Sequence, residues 1–213
     1  MPVAFHPLHK GLLKDFDGQR DGTNAFIFSR YLVPWLCDFS GWAIFCDGDM
    51  VCQRDIAELW DLRPYGNKAV CVVKHDYKTK HPRKYVGSKL ENDNLDYPRK
   101  NWSSVILWNC GHFGNRILTP EFVAEAEPKY LHRFEWVTDA QIGELPHWWN
   151  HLVGEDAPGQ ASLYHYTLGV PGIKHYADDY ASWRWHDTLL KSLECAGEEA
   201  SVMVKRAEDR VGG

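Results

Sequence analysis

The sequence has no long apolar segment, no paired cysteine motif and no excess of positive charge, and each absence excludes a class of protein. None of its apolar runs reaches the roughly 20 residues that a membrane-spanning helix needs. The net charge of −5 argues against nucleic-acid binding by bulk electrostatics. The six cysteines form no C-x-x-C pair, so we expect reduced thiols. With no apolar signal-peptide core, a cytoplasmic protein is expected.

The composition is that of a globular protein with many aromatic residues. Of the 213 residues, 44% are hydrophobic, which is typical of a folded domain. Ten tryptophans predict either a thick core or a surface that stacks on sugar rings. We expect one domain over residues 1–190 and a loosely packed C-terminal tail over residues 191–213.

Short apolar runs alternate with helical patterns along the chain. This alternation predicts an α/β fold with a mixed sheet flanked by helices. Buried strands are predicted at residues 42–46, 68–75 and 103–109. Helices are predicted at residues 23–36 (capped by Thr23 and kinked or ended by Pro34), 54–60 and 119–128, with another beginning within 136–146. The length and polarity of segment 76–102 predict a functional or disordered loop. The chain after residue 172 is predicted to be irregular.

Asp47 and Asp49 follow the first predicted strand with only Gly48 between them. Side chains alternate along a strand, so both carboxylates point the same way, at a sheet edge where α/β proteins bind ligands. Gly48 permits unusual backbone angles and lets a ligand approach the main chain. Carboxylate oxygens suit Mg²⁺ or Mn²⁺, which usually also bind phosphate oxygens. An acidic protein could hold a diphosphate in this way.

Two other interpretations of the aspartate pair stay open. The first is a turn whose acidic residues cap the following helix. The second is the phosphotransferase pattern D-x-D-x-[TV], which "FCDGDMV" fits and in which the first aspartate is a nucleophile. Such enzymes need a second acidic pair, for which the chain offers Asp178 and Asp179, and no apolar strand precedes these two.

Several stretches together resemble the GT-A fold nucleotide-sugar glycosyltransferases, most closely the family 8-like bacterial and phage proteins. They are "SRYLVP", "GWAIFCDGDMVCQRDIAELW", "YPRKNWSSVILWN", "HRFEWVTDAQIGELPHWWN" and "HYTLGVP". The resemblance runs from about residue 12 to residue 185. It implies an enzyme of hexosyltransferase type that moves a sugar from a nucleotide-diphosphate donor, a UDP-sugar, to a carbohydrate or other hydroxyl acceptor, with retention.

The resemblance also implies a metal site. Asp47 and Asp49 would hold a divalent ion on the donor's diphosphate, and His165 would complete the coordination. Imidazole suits Mn²⁺ better than Mg²⁺, so manganese is the expected cofactor and magnesium the alternative. For His165, one of eleven histidines, an ordinary core or surface position is the other interpretation.

Further donor contacts follow from the same resemblance. Arg30 lies where the family has an arginine that reaches the donor, and its guanidinium could clamp a phosphate or a sugar hydroxyl. Lys174 would touch the diphosphate, although its spacing after His165 differs from the family's. Ser103 and Ser104 are small and polar, so the sugar could lie against the backbone there. A surface ion pair for Arg30 and an ordinary strand entry for the serines are the alternatives.

Two residues are candidates for the reaction centre. Asp139 and Gln141 resemble a family segment that faces the anomeric carbon, as a nucleophile or as a stabiliser of an oxocarbenium-like state. Trp148, Trp149 and Asn150 would shape the acceptor side or pack in the core. The loop 76–102 would select the acceptor.

The start of the sequence departs from the family pattern. Family members open with a strand, a helix and a strand that build the nucleoside pocket, whereas about two dozen residues precede the first predicted helix here. We therefore expect the first strand to be lacking. A non-catalytic relative that binds carbohydrate or a partner through an aromatic surface stays open as a second hypothesis.

Overall fold

The computed structural model describes residues 3–8, 25–64 and 66–195, with the side chains of residues 25 and 26 excepted. It divides the chain into two compact units. Unit 1 consists of Met1–Cys46, Ile56–Asp76 and Pro98–Pro146. Unit 2 consists of Asp47–Asp55, Tyr77–Tyr97 and His147–Gly213. The predicted cap Thr23 and most of the predicted tail, residues 196–213, lie outside the described residues.

The described ranges contain both strands and helices. The strands are β1 (Trp42–Cys46), β2 (Met50–Cys52), β3 (Val70–Val72), β4 (Arg83–Lys84), β5 (Asn92–Asp93), β6 (Val105–Asn109), β7 (Ile142–Glu144), β8 (His151–Leu152) and β9 (Leu163–His165). The α-helices are α1 (Val33–Leu36), α2 (Ile56–Trp60), α3 (Pro120–Glu125), α4 (Pro128–His132) and α5 (Ser182–Cys195). The 3-10 helices are Ala25–Leu32, Trp102–Ser104, Phe113–Ile117, Asp139–Gln141, His147–Trp149 and Lys174–Tyr176. No helix in the described part of the chain combines the length and apolarity that crossing a membrane requires.

Unit 1 contains a four-stranded sheet in the order β1-β6-β3-β7. The β3–β7 pair is parallel and the other two pairs are antiparallel, so the predicted mixed sheet is confirmed. The central strands bury β-branched and aromatic side chains against the N-terminal 3-10 helix and the helices α3 and α4. The core residues from the strands include Val70, Val72, Ile106 and Trp108, and those from the helices include Tyr31, Leu32, Val123 and Leu131.

Two predictions in the first half of unit 1 are wrong in detail. Strand β1 was predicted to be buried, but its residues are all half-buried because it forms an edge of the sheet. Pro34 was predicted to kink or end a helix, but it lies in the first turn of α1, after a 3-10 helix. A proline fits there because its fixed φ suits a helix start and its missing N–H would have no intrahelical partner.

The segment 136–146 was predicted to begin a helix, and this is wrong. A short 3-10 turn leads directly into β7, which pairs with β3. A Cβ atom on Gly143 would lie 2.5 Å from Cys71 Sγ, so the glycine allows close approach of the two strands. The thiol of Cys71 is enclosed there, and burial raises its pKa to about 11. The segment alone has a helix-like pattern, so its strand conformation depends on tertiary packing against β3.

Unit 2 contains a three-stranded sheet in the order β2-β9-β8. β2 runs antiparallel to β9, and β8 runs parallel to it. Its core contains Val51, Val153, Tyr164, Tyr166 and Ala181. The prediction that the chain is irregular after residue 172 is wrong, because α5 is a helix of 14 residues. Only Leu193 is buried in that helix, which explains why its apolar pattern is weak in the sequence.

A buried carboxylate, Glu155, is one of the groups that hold the polar segment 77–97 to the rest of unit 2. Glu155, 5% exposed, accepts hydrogen bonds from the hydroxyl of Thr79, from the backbone N–H of Lys80 at 3.1 Å and from the Asn94 amide at 3.4 Å. Within the segment, β4 and β5 form a short hairpin. The segment is therefore an anchored loop with its own pairing.

We expect Glu155→Ala to loosen this segment. The three donors would lose their acceptor in a buried site, and an unsatisfied buried donor costs about 1–3 kcal/mol. Limited trypsin digestion should cleave within residues 77–97 faster than in the unchanged protein. Glu144→Ala, which removes an exposed carboxylate from β7, is the matched control. Equal cleavage rates in the two variants would contradict the anchoring role.

Candidate metal centre

Asp47, Asp49 and His165 come together in unit 2. One ligand atom from each residue, two carboxylate oxygens and one imidazole nitrogen, lies within 4.8 Å of the others. His165 Nε2 is 3.4 Å from Asp49 Oδ1. The His165 side chain is 3% exposed and that of Asp49 22% exposed. Two carboxylates and an imidazole at this spacing form a donor set that fits a divalent cation.

The pairing of β2 with β9 brings these residues together. Met50 is opposite His165 in the antiparallel register, and the Tyr166 N–H donates to the Asp49 carbonyl at 2.9 Å. The ladder thus extends one residue beyond β2 and holds Asp49 beside the histidine. A slip of one residue would turn the His165 side chain to the other face of the strand, because side chains alternate.

Asn150 sets the orientation of the His165 ring. It is fully buried, and its Oδ1 accepts a hydrogen bond from His165 Nδ1 at 3.1 Å. With the proton on Nδ1, Nε2 faces Asp49 and can offer its lone pair to a cation. Such outer-shell bonds fix the tautomer of metal-binding histidines. The sequence carries no local signal for this role, because the parallel pairing of β8 with β9 creates the contact.

Gly48 leaves open space between the two aspartates. A Cβ atom there would meet nothing within 4 Å, so a ligand could approach the main chain. Its φ lies outside the left-handed region, so the unusual backbone angles that a glycine permits are not used here.

The predicted donor residues of unit 1 have internal partners. The Arg30 guanidinium donates to the carbonyl of Ser103 at 2.7 Å and lies 5.0 Å from the centre of the Phe45 ring. Ser103 and Ser104 are buried, and the Ser104 hydroxyl donates to the Asn101 carbonyl at 2.6 Å. Their roles in donor binding stay predictions.

The two candidates for the reaction centre lie at the 3-10 turn before β7. The Asp139 carboxylate is exposed and paired with Arg99. Gln141 Oε1 accepts hydrogen bonds from the backbone N–H and the hydroxyl of Thr138, each at 3.0 Å. The bond from the Thr138 N–H is one half of a capping box, whose other half joins the Gln141 N–H to the Thr138 hydroxyl, so the glutamine side chain has a structural role.

The remaining predicted residues belong to unit 2. Lys174 is exposed and begins a 3-10 helix. Of the aromatic pair predicted on the acceptor side, Trp148 is 53% exposed, whereas Trp149 is 2% exposed and packs in the interior. Asp178 and Asp179 are in neither group of possible metal ligands found among the described residues, so the phosphotransferase interpretation lacks support for its second acidic pair.

Burial shifts the pKa values of His151 and of its hydrogen-bond partner Tyr180. Burial lowers the pKa of His151, and the attraction of Asp156 opposes this only in part. Burial raises the pKa of Tyr180 to about 12. At neutral pH, His151 is therefore a neutral imidazole and Tyr180 an intact phenol.

The fold is that of the GT-A glycosyltransferases. The apo form of the glycosyltransferase GlyE from Streptococcus pneumoniae TIGR4 superimposes with a TM-score of 0.51 at 15% identity, over 89% of this chain and 47% of GlyE. This chain thus spans less than half of GlyE's length. Mouse xyloside xylosyltransferase 1 gives a TM-score of 0.42 at 15% identity, over 76% of this chain and 73% of that chain.

The sequence has a much nearer relative in a plant. Protein CDI of Arabidopsis thaliana is 42% identical over 206 residues, which covers 91% of this chain and 76% of that protein. The chain therefore belongs to the same family as Protein CDI. No protein-family model matches the sequence.

We expect Asn150→Ala to weaken Mn²⁺ binding by about 10- to 100-fold, because the His165 ring loses the bond that sets its tautomer. Calorimetric titration with Mn²⁺ measures the change. Asn94→Ala is the matched control, because Asn94 is also a buried asparagine of unit 2 that hydrogen-bonds other side chains. An equal loss of Mn²⁺ affinity in both variants would mean that Asn150 acts only through stability.

Proposed function

We propose that this protein is a metal-dependent glycosyltransferase that moves a sugar from a nucleotide-diphosphate donor, a UDP-sugar, to a hydroxyl acceptor with retention of configuration. The observation that carries the proposal is the cluster of Asp47, Asp49 and His165 in a chain of GT-A fold. In the reaction, the bond from the anomeric carbon to the diphosphate breaks and a bond to the acceptor oxygen forms. UDP leaves with the bonding electron pair, and the proton of the acceptor hydroxyl passes to the departing diphosphate or to solvent.

The residues of unit 2 would hold the diphosphate end of the donor. Asp47 and Asp49 bring two negative charges together, and a phosphate could join them only with a cation present. Mn²⁺ suits the mixed oxygen and nitrogen donors, and when bound it would act as a Lewis acid that neutralises charge on the leaving diphosphate. The open space at Gly48 leaves room for phosphate oxygens. Lys174 would add positive charge.

The proposal also includes the roles that the resemblance implies for Arg30, Asp139 and Gln141. Arg30 would contact a phosphate or a sugar hydroxyl of the donor through its guanidinium. Asp139 or Gln141 would support the positive charge that develops on the sugar, and each would have to exchange its present partner for substrate. The closer likeness to family 8 enzymes, and a cytoplasmic location, belong to the same proposal.

A carbohydrate-binding module without catalysis is the second candidate. Two large aromatic side chains of unit 2, Trp148 and Trp183, are 53% and 57% exposed. Exposed indole rings offer flat apolar faces on which sugar rings can stack. Metal dependence separates the two candidates, because a module of this kind would tolerate the loss of Asp49.

We expect UDP to bind in the presence of Mn²⁺, and the binding to disappear with a chelator and in Asp49→Asn. Calorimetric titration of UDP into the protein is the measurement. The isosteric amide keeps the shape of the side chain but removes the charge that holds the cation. Asp93→Asn, which changes an exposed carboxylate of the same unit, should bind UDP normally. UDP binding that survives both the chelator and Asp49→Asn would refute the proposed site.

A further inference from the structure

A second group of possible metal ligands lies elsewhere in unit 2. His147, His151 and Asp156 each offer one ligand atom, and these atoms lie within 4.8 Å of one another. None of the three residues takes part in the Asp47, Asp49 and His165 cluster. The two histidines are separated by three residues, a spacing common among zinc ligands, and the carboxylate follows five residues later.

His151 is held in a fixed orientation. Its side chain is 7% exposed, and its Nε2 is hydrogen-bonded to the hydroxyl of Tyr180. Its other nitrogen, Nδ1, faces Asp156 Oδ2 at 3.7 Å. Tyr180 thus occupies the nitrogen that points away from the carboxylate, which is the arrangement of a metal-binding histidine with an outer-shell partner.

Asp156 is held by the backbone. Its Oδ2 accepts a hydrogen bond from the Leu152 N–H at 2.7 Å, and its side chain is 19% exposed. The same oxygen lies 2.8 Å from His147 Nε2. The carboxylate is therefore placed between the two imidazoles before any ligand binds.

His147 supplies the open side of the group. Its side chain is 55% exposed, so it can move and solvent can reach the group. Two ligand atoms on one tetrahedral zinc ion are about 3.3 Å apart, given bonds of about 2.0–2.1 Å. The 2.8 Å contact of His147 with Asp156 must therefore widen by about half an ångström, which an exposed side chain allows.

We propose that His147, His151 and Asp156 form a zinc site, with a water molecule as the fourth ligand. Two imidazoles and one carboxylate favour Zn²⁺ over Mg²⁺ or Ca²⁺, whereas the cluster of Asp47, Asp49 and His165 is richer in oxygen. Zinc would bind between His147 and Asp156 in place of their direct hydrogen bond. It would link the 3-10 turn His147–Trp149, strand β8 and the loop after β8 into one cross-linked segment.

Zinc titration tests the site separately from the proposed transferase function. The titration uses the Asp49→Asn protein, so that the other cluster is disabled, and a competing chromophoric chelator reports free zinc. We expect about one equivalent of zinc to bind and to raise the melting temperature. Adding His147→Gln should weaken that binding by about tenfold or more, and so should adding Asp156→Asn, which can still accept the Leu152 N–H.

The matched control changes an exposed histidine of the same unit that is not in the group. His186→Gln in the Asp49→Asn protein should bind zinc like its parent. Circular dichroism checks that each variant is folded. The inference is overturned if the Asp49→Asn protein binds no zinc, or if neither His147→Gln nor Asp156→Asn lowers its affinity more than His186→Gln does. UDP binding plays no part in these readouts, so failure of either proposal leaves the other intact.

Discussion

The candidate metal centre depends on the register between Met50–Cys52 and Leu163–His165. This antiparallel pairing is only three residues long, yet it brings His165 beside Asp49. The bond from the Tyr166 N–H to the Asp49 carbonyl extends the pairing to the aspartate itself. Two carboxylates separated by one residue are common in proteins, and it is the strand opposite that turns this pair into a donor set with an imidazole.

The same small sheet also serves the second group of ligands. Strand β8 joins β9 on its other side. Asn150, just before β8, orients His165, and His151, the first residue of β8, faces Asp156. Adjacent residues of one segment therefore support two groups with different chemistry, one rich in carboxylate and one rich in imidazole.

Local patterns predicted much of the fold, and tertiary contacts decided the rest. The three apolar runs were strands, and the mixed sheet followed from their alternation with helices. Residues 142–144 became a strand because β3 offers a parallel partner and Gly143 allows close approach, neither of which the local pattern shows. The link between Asp49 and His165 was predictable only through resemblance to known glycosyltransferases. The role of Asn150 was not predictable, since it arises from strand pairing across the loop before β9.

The pairing of Met50 with His165 joins positions separated by more than half of the chain length. Contacts of such long sequence separation form late in folding, because the intervening chain must first be ordered to offset the entropy of closing so large a loop. Asp49 and His165 therefore come together only late in folding, and a partly folded chain lacks this pair of metal ligands. A cation that binds there would stabilise only the folded state. It would therefore lower the unfolding rate more than it raises the folding rate.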